Sequence, residues 1–115
     1  PPPVSDIVPD ATIGIIAFGS TEPAVQEARA MLAQMGIKTD FLRVRAVPFT
    51  DEVEDFIHQH SRNYIVEMNR DGQLHQLLTI EYPRMAVKLI SVAYTDGLPL
   101  TARCVQEAIA AKEVR

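Results

Sequence analysis

Thr12-Ile13-Gly14-Ile15-Ile16-Ala17-Phe18-Gly19-Ser20-Thr21-Glu22-Pro23 decides the architecture. Thr12 to Phe18 is almost uninterruptedly apolar and does not alternate, the pattern of a strand covered on both faces in the middle of a parallel sheet. Gly19 ends it where a tight turn is needed. Pro23 then stands where a first helical turn begins, with Thr21 or Glu22 as the cap, and Val25, Ala28, Met31, Leu32 and Met35 recur at helical spacing. Gly36 occupies the usual stop position.

Working outward, Ile37 to Val44 alternates: Ile37, Thr39 and Phe41 share one side, Lys38 and Asp40 the other. This predicts a second, less buried strand. Pro48 breaks it, Thr50 can cap the next helix, and Asp51, Glu52 and Glu54 complement that helix's dipole. Val53, Phe56, Ile57 and His60 form its apolar side. Asn63 to Glu67 reads as a third strand. Asn69-Arg70-Asp71-Gly72 supplies turn chemistry before a helix carrying Leu74, Leu77, Leu78 and Tyr82, which Pro83 stops. Val87 to Tyr94 is a fourth strand, Thr95-Asp96-Gly97 a turn, and Thr101 the cap of a last helix with Val105, Ala108 and Ile109 inward.

Strands alternating with helices through short connections must run parallel with right-handed crossovers. The expected fold is therefore a three-layer α/β/α sandwich whose four parallel strands lie in the order 2-1-3-4, with a switch point between the first and third. Residues 1–11 read as a linker from a preceding domain or an extra edge strand, although Val8-Pro9 weakens the latter, and 12–115 as one domain. Pro1-Pro2-Pro3 in place of an initiator methionine reads as an extended linker within a longer protein.

The 115 residues suffice for one ordinary core, and 47% hydrophobic with 23% charged residues is a globular balance. A formal charge of -4 with scattered basic residues argues against nucleic acid. The longest apolar run falls far short of the roughly 20 residues that span a bilayer. A lone Cys104 and the lack of a signal-like segment lead to the expectation of a reducing, cytoplasmic setting.

Candidate chemistry is sparse. Gly14 and Gly19 have the spacing of phosphate-loop glycines, but the lysine is missing and the intervening residues are strand. His58 and His60 diverge on a helix, and with His75 they assemble no metal set. Cys104 starts the last helix, where amides lower a thiol pKa, yet a buried structural cysteine is the commoner outcome. The loops Gly19-Ser20-Thr21 and Asn69-Arg70-Asp71-Gly72 flank the switch point. Their helix starts could hold an anion or simply be capped.

Val66-Glu67-Met68-Asn69-Arg70-Asp71-Gly72-Gln73-Leu74 resembles the V-E-x-N-x-x-G-Q-L signature of the alpha subunit of 2-oxoacid:ferredoxin oxidoreductases. Gly19-Ser20-Thr21, Arg45-Ala46-Val47-Pro48-Phe49 and Asp96-Gly97-Leu98-Pro99-Leu100-Thr101 resemble further family segments in order, so the likeness spans residues 12–111. It implies a transketolase C-terminal-like domain of an enzyme that oxidatively decarboxylates a 2-oxoacid such as 2-oxoglutarate or pyruvate to an acyl-CoA. It implies thiamine diphosphate, magnesium and iron-sulfur clusters held elsewhere in the complex, with none in this domain, and ferredoxin as electron acceptor. The domain is then a non-catalytic assembly module, inactive alone, meeting the other alpha-subunit domains and the beta subunit. Pairing of the chain with itself is a further expectation. Ser20, Thr21, Glu67, Asn69, Arg70, Asp71, Gly72 and Gln73 either make such contacts or only shape turns. The domain of another transketolase-like dehydrogenase, or a free-standing flavodoxin-like binding module, are the alternatives.

Overall fold

The computed structural model describes residues 4–18, 21–44, 48–68, 72–94 and 100–114. The element order is β1 (Val4–Asp6), β2 (Ile13–Phe18), α1 (Glu22–Gln34), β3 (Thr39–Val44), α2 (Asp51–His58), β4 (Arg62–Glu67), α3 (Gln73–Glu81), a 3-10 helix (Pro83–Lys88), β5 (Leu89–Ala93) and α4 (Ala102–Glu113). The sheet runs β1-β3-β2-β4-β5. Its four parallel strands have the expected order, and β1 adds an antiparallel edge beside β3. The edge strand ends at Asp6, so Pro9 never enters the ladder. The expected turns at Gly19-Ser20, at Asn69-Arg70-Asp71 and at positions 95–99, and the segment Arg45-Ala46-Val47, lie outside the described residues.

β2 is central and buried from Ile13 to Ala17. Its alternate side chains serve two cores. Ile13, Ile15 and Ala17 pack with Val25, Ala28 and Leu32 of α1 and Val105 and Ile109 of α4. Ile16 packs with Val53, Phe56 and Ile57 of α2 and Leu74 and Leu78 of α3. Helices thus cover both faces, as parallel strands with right-handed crossovers require.

Local sequence accounts for most boundaries. Pro23 lies in the first turn of α1, and Gly36, at φ 82°, closes its end. The Gly36 and Ile37 amides donate to Ala33 O and Leu32 O at 3.0 and 2.9 Å, the paired bonds of a Schellman motif. The Thr101 hydroxyl caps α4 by accepting from Cys104 N at 3.1 Å. Thr50 stands at the cap of α2 without a side-chain capping bond.

Four expectations need correction. β3 begins at Thr39, after the Schellman turn has used Ile37, and it is as buried as β2: β1 shields its edge and a histidine matches Asp40. β5 begins at Leu89 because Pro83 starts a 3-10 helix that takes in Val87. Leu77 lies on the outer side of α3, since Leu74 and Leu78 already fill the inner stripe. Cys104 is exposed, because α4 turns Ala102, Val105 and Ile109 inward.

Polar ties fasten the rim. Arg29, buried on α1, donates to Asp6 Oδ2 at 2.7 Å, Gln26 Oε1 at 2.9 Å and Thr39 O at 2.6 Å, and lies over the Phe41 ring. It joins β1, α1 and β3. Arg62 forks onto Glu113 at 2.6 and 2.8 Å, and the Tyr64 hydroxyl donates to the same carboxylate.

All three tyrosines titrate above the ordinary phenol range. Burial comes first in each case, followed by Glu113 for Tyr64, by Glu81, Glu54 and Asp51 for Tyr82, and by Cys104 and Glu107 for Tyr94. The fold therefore favours neutral phenols. Their contribution is whole below about pH 10, where unfolded tyrosines ionise, and is lost as pH rises toward the folded values. Tyrosinate absorbance should lag that of the urea-unfolded chain at every pH near 10, and the urea midpoint should fall through the same window. Coincident titration curves would contradict this.

Candidate functional site

The carboxyl ends of β2 and β4 lie side by side, with Ala17 level with Val66, the switch-point position where open α/β sheets bind ligands. Of the residues singled out from sequence, Thr21, Glu67, Gly72 and Gln73 are described there. Ser20, Asn69, Arg70 and Asp71 lie outside the described residues.

Glu67 organises the site. It ends β4 on the α2/α3 side and is 4% exposed. Its Oε1 accepts from Leu74 N at 2.7 Å and its Oε2 from His75 N at 3.1 Å. Those are the second and third amides of α3, which an N-cap side chain ordinarily satisfies. The N-cap here is Gly72, left-handed at φ 60° and without a side chain. A strand-borne carboxylate therefore supplies the cap from seven residues upstream. It also sets a negative charge against the positive end of the helix dipole. Gly72 has a second reason to be glycine, because a Cβ there would stand 3.1 Å from Ser91 Oγ. The Glu67 carbonyl accepts from Tyr94 N at 3.1 Å, which ties in β5.

Across the crevice, Thr21 precedes α1 but does not cap it. Its hydroxyl donates to Phe18 O at 2.9 Å, closing the strand-to-helix turn. Arg43 of β3 pairs with Glu22 Oε1 at 2.5 Å. Gln73 is exposed at the start of α3.

The helix start that could have held an external anion thus holds the chain's own carboxylate. Sequence alone did not assign this role to Glu67. The available signal was a helix opening on Gly72-Gln73 with no Ser, Thr, Asp or Asn at the cap. Among the described residues no three His, Cys, Asp or Glu side chains group to hold a metal. An iron-sulfur cluster takes several cysteine ligands, and this chain has one cysteine. No described helix is long and apolar enough to cross a membrane.

Replacing Glu67 with glutamine should cost about 1–2 kcal/mol, because charge-assisted bonds to both amides become weaker neutral ones. Alanine, which leaves the Leu74 and His75 amides without this acceptor, should cost more. Urea denaturation checks the ranking; equal stability of all three proteins would remove the capping role.

The class of domain is set by the sheet and its helices: a transketolase C-terminal-like α/β domain. A split-gene transketolase, solved as an inactive beta4 tetramer, superposes with a TM-score of 0.75 over 94% of this chain and 41% of that one. At 18% identity it shows the fold alone. The 2-oxoglutarate:ferredoxin oxidoreductase from Magnetococcus marinus matches over 98% of this chain and 20% of that one, with a TM-score of 0.81 and 25% identity. Subunit alpha of 2-oxoacid:ferredoxin oxidoreductase 2 from Aeropyrum pernix is 35% identical over 71 residues, 60% of this chain and 11% of that subunit. No family model matches. Sequence and fold thus both liken the chain to 2-oxoacid:ferredoxin oxidoreductases, and it spans only a fifth or less of these relatives.

Proposed function

We propose that the chain is the transketolase C-terminal-like domain of the alpha subunit of a thiamine diphosphate-dependent 2-oxoacid:ferredoxin oxidoreductase, and that it serves assembly rather than catalysis. Residues 12–115 form the domain together with the β1 edge strand before them. The observation that carries this reading is the commitment of Glu67 and Gly72, the core of the family signature, to building the β4-to-α3 junction. The crevice position is filled from within. Gln73, exposed beside it, with Ser20, Asn69, Arg70 and Asp71, offers the contact surface to neighbouring domains or the beta subunit.

The reaction of the whole enzyme is the oxidative decarboxylation of a 2-oxoacid to an acyl-CoA, and the Magnetococcus relative was solved with 2-oxoglutarate, coenzyme A and succinyl-CoA bound. Thiamine diphosphate, magnesium and iron-sulfur clusters belong to other parts of that complex. Electrons pass to ferredoxin in the cytoplasm.

The test has two arms. The chain alone, given 2-oxoglutarate or pyruvate with coenzyme A, thiamine diphosphate, magnesium and oxidised ferredoxin, should form no acyl-CoA and show no calorimetric binding. Substituted for the corresponding domain of a 2-oxoglutarate:ferredoxin oxidoreductase, it should support subunit assembly. Turnover by the chain alone, or failure of the substituted enzyme to assemble, would count against the proposal.

A further inference from the structure

β1 is a strand with almost no packing of its own. Its three residues are all exposed, and it pairs with β3 at the margin of the sheet. Ile7, which follows it, is 55% exposed. An open cavity of about 440 Å³ is lined by Asp6, Val8 and Pro9 of this segment and by Arg29, Ala30 and Ala33 of α1. Apolar burial therefore does little to hold residues 4–8, while ordering each of them still costs chain entropy.

Beyond the ladder with β3, two buried side chains grip the segment. Arg29 donates to Asp6 Oδ2 at 2.7 Å and to Asp6 O at 3.4 Å, and Asp40 Oδ1 accepts from Val8 N at 2.9 Å. Both are fixed from the other side. Arg29 also donates to Thr39 Oγ1 at 2.9 Å, Thr39 O at 2.6 Å and Gln26 Oε1 at 2.9 Å, and Asp40 Oδ2 lies 2.7 Å from His60 Nε2. None of these bonds involves β1, so they persist when the segment leaves. Where the chain turns from β1 toward β2, Asp10 takes a left-handed φ of 66°, a conformation that glycine and short polar residues adopt more readily than others.

We propose that residues 4–8 form a latch that opens and closes as one unit on an otherwise intact domain, with Arg29 and Asp40 as its preformed catch. A grip at each end of so short a segment, with little packing between, favours release of the whole over fraying from Val4. Opening uncovers the outer edge of β3 and the side of the Arg29 guanidinium that Asp6 occupies. The latch thereby controls exposure of a strand edge that is otherwise protected. This inference is independent of the family reading.

Native-state hydrogen exchange of the intact chain, read residue by residue by NMR, tests it. The Val8 amide and the ladder amides of β1 should share one opening constant, roughly a hundredfold or more above that of the β2 amides and insensitive to low urea. Two variants on the exposed segment loosen one grip each: Asp6→Asn weakens the bond to Arg29, and Val8→Pro removes the amide that meets Asp40. Asp6→Asn should speed exchange at Val8, and Val8→Pro should speed it along β1, each by about tenfold or more, the factor expected from a bond to a charged group. Rates graded outward from Val8 to Val4, a variant that acts only at its own end, or exchange of β1 only with the urea-dependent unfolding of β2 would overturn the proposal.

Discussion

Gly14→Ala is expected to cost about 3 kcal/mol, at or beyond the usual upper range for overpacking, although it adds one methyl group to a strand of isoleucines. The new Cβ would stand 2.5 Å from Asn63 Oδ1, 2.6 Å from Phe56 Cε1 and 2.9 Å from His60 Nδ1. None of these can retreat easily. Asn63 is wholly buried and its Nδ2 donates to Ile57 O at 3.1 Å, while Phe56 and His60 stack with ring centres 4.6 Å apart. The buried Asn63 Oδ1 has no hydrogen-bond partner and points where the alanine methyl would go. In the native chain a Gly14 Cα hydrogen fills that direction, the arrangement of a weak C–H···O contact. Urea denaturation of the variant gives the measure; a loss under about 1 kcal/mol would show that the packing around Gly14 yields.

The second large effect is expected at Asp40, whose neighbour across the sheet is Gly14. Asp40 Oδ2 lies 2.7 Å from His60 Nε2, its Oδ1 accepts from Val8 N at 2.9 Å, and His60 Nδ1 lies 2.7 Å from Phe56 O. Both ring nitrogens face oxygens, so each contact needs its own proton. Removing one member of a buried pair leaves the other without compensation, which typically costs about 3–5 kcal/mol. That is a large share of the roughly 5–15 kcal/mol that holds a domain of this size. Asp40→Ala and His60→Ala should each approach this loss, and the double variant should lose less than their sum. The double-mutant cycle reads the coupling, and strict additivity would mean that the two side chains act independently.

Much of the architecture is legible before any coordinates. Ile13 to Phe18 announces a doubly covered strand, and Pro23, Gly36 and Thr101 mark helix ends by local chemistry. What escapes depends on register. Asp40 on β3 and His60 in the turn after α2 are twenty residues apart, and nothing in either neighbourhood says they meet. Val4-Ser5-Asp6 lacks the apolar alternation of a strand because an edge strand with exposed side chains has no face to bury. At the switch point the role of Glu67 escapes the sequence, because a capping bond over seven residues follows from where β4 ends.

The layer beneath the end of α2 has a bearing on misfolding. Asp40, Gly14 and Asn63 stand abreast on β3, β2 and β4, whereas the next row, Leu42, Ile16 and Ile65, is wholly apolar. Were β3 to slide two residues along β2, side chains would keep their faces, and an oily core would hardly object. The carboxylate, though, would land beside Ile16 and the imidazole would be stranded. A single hydrogen-bonded polar rung can thus reject shifted ladders that greasy contacts alone would tolerate, in a fold whose parallel strands must find one another across long stretches of chain.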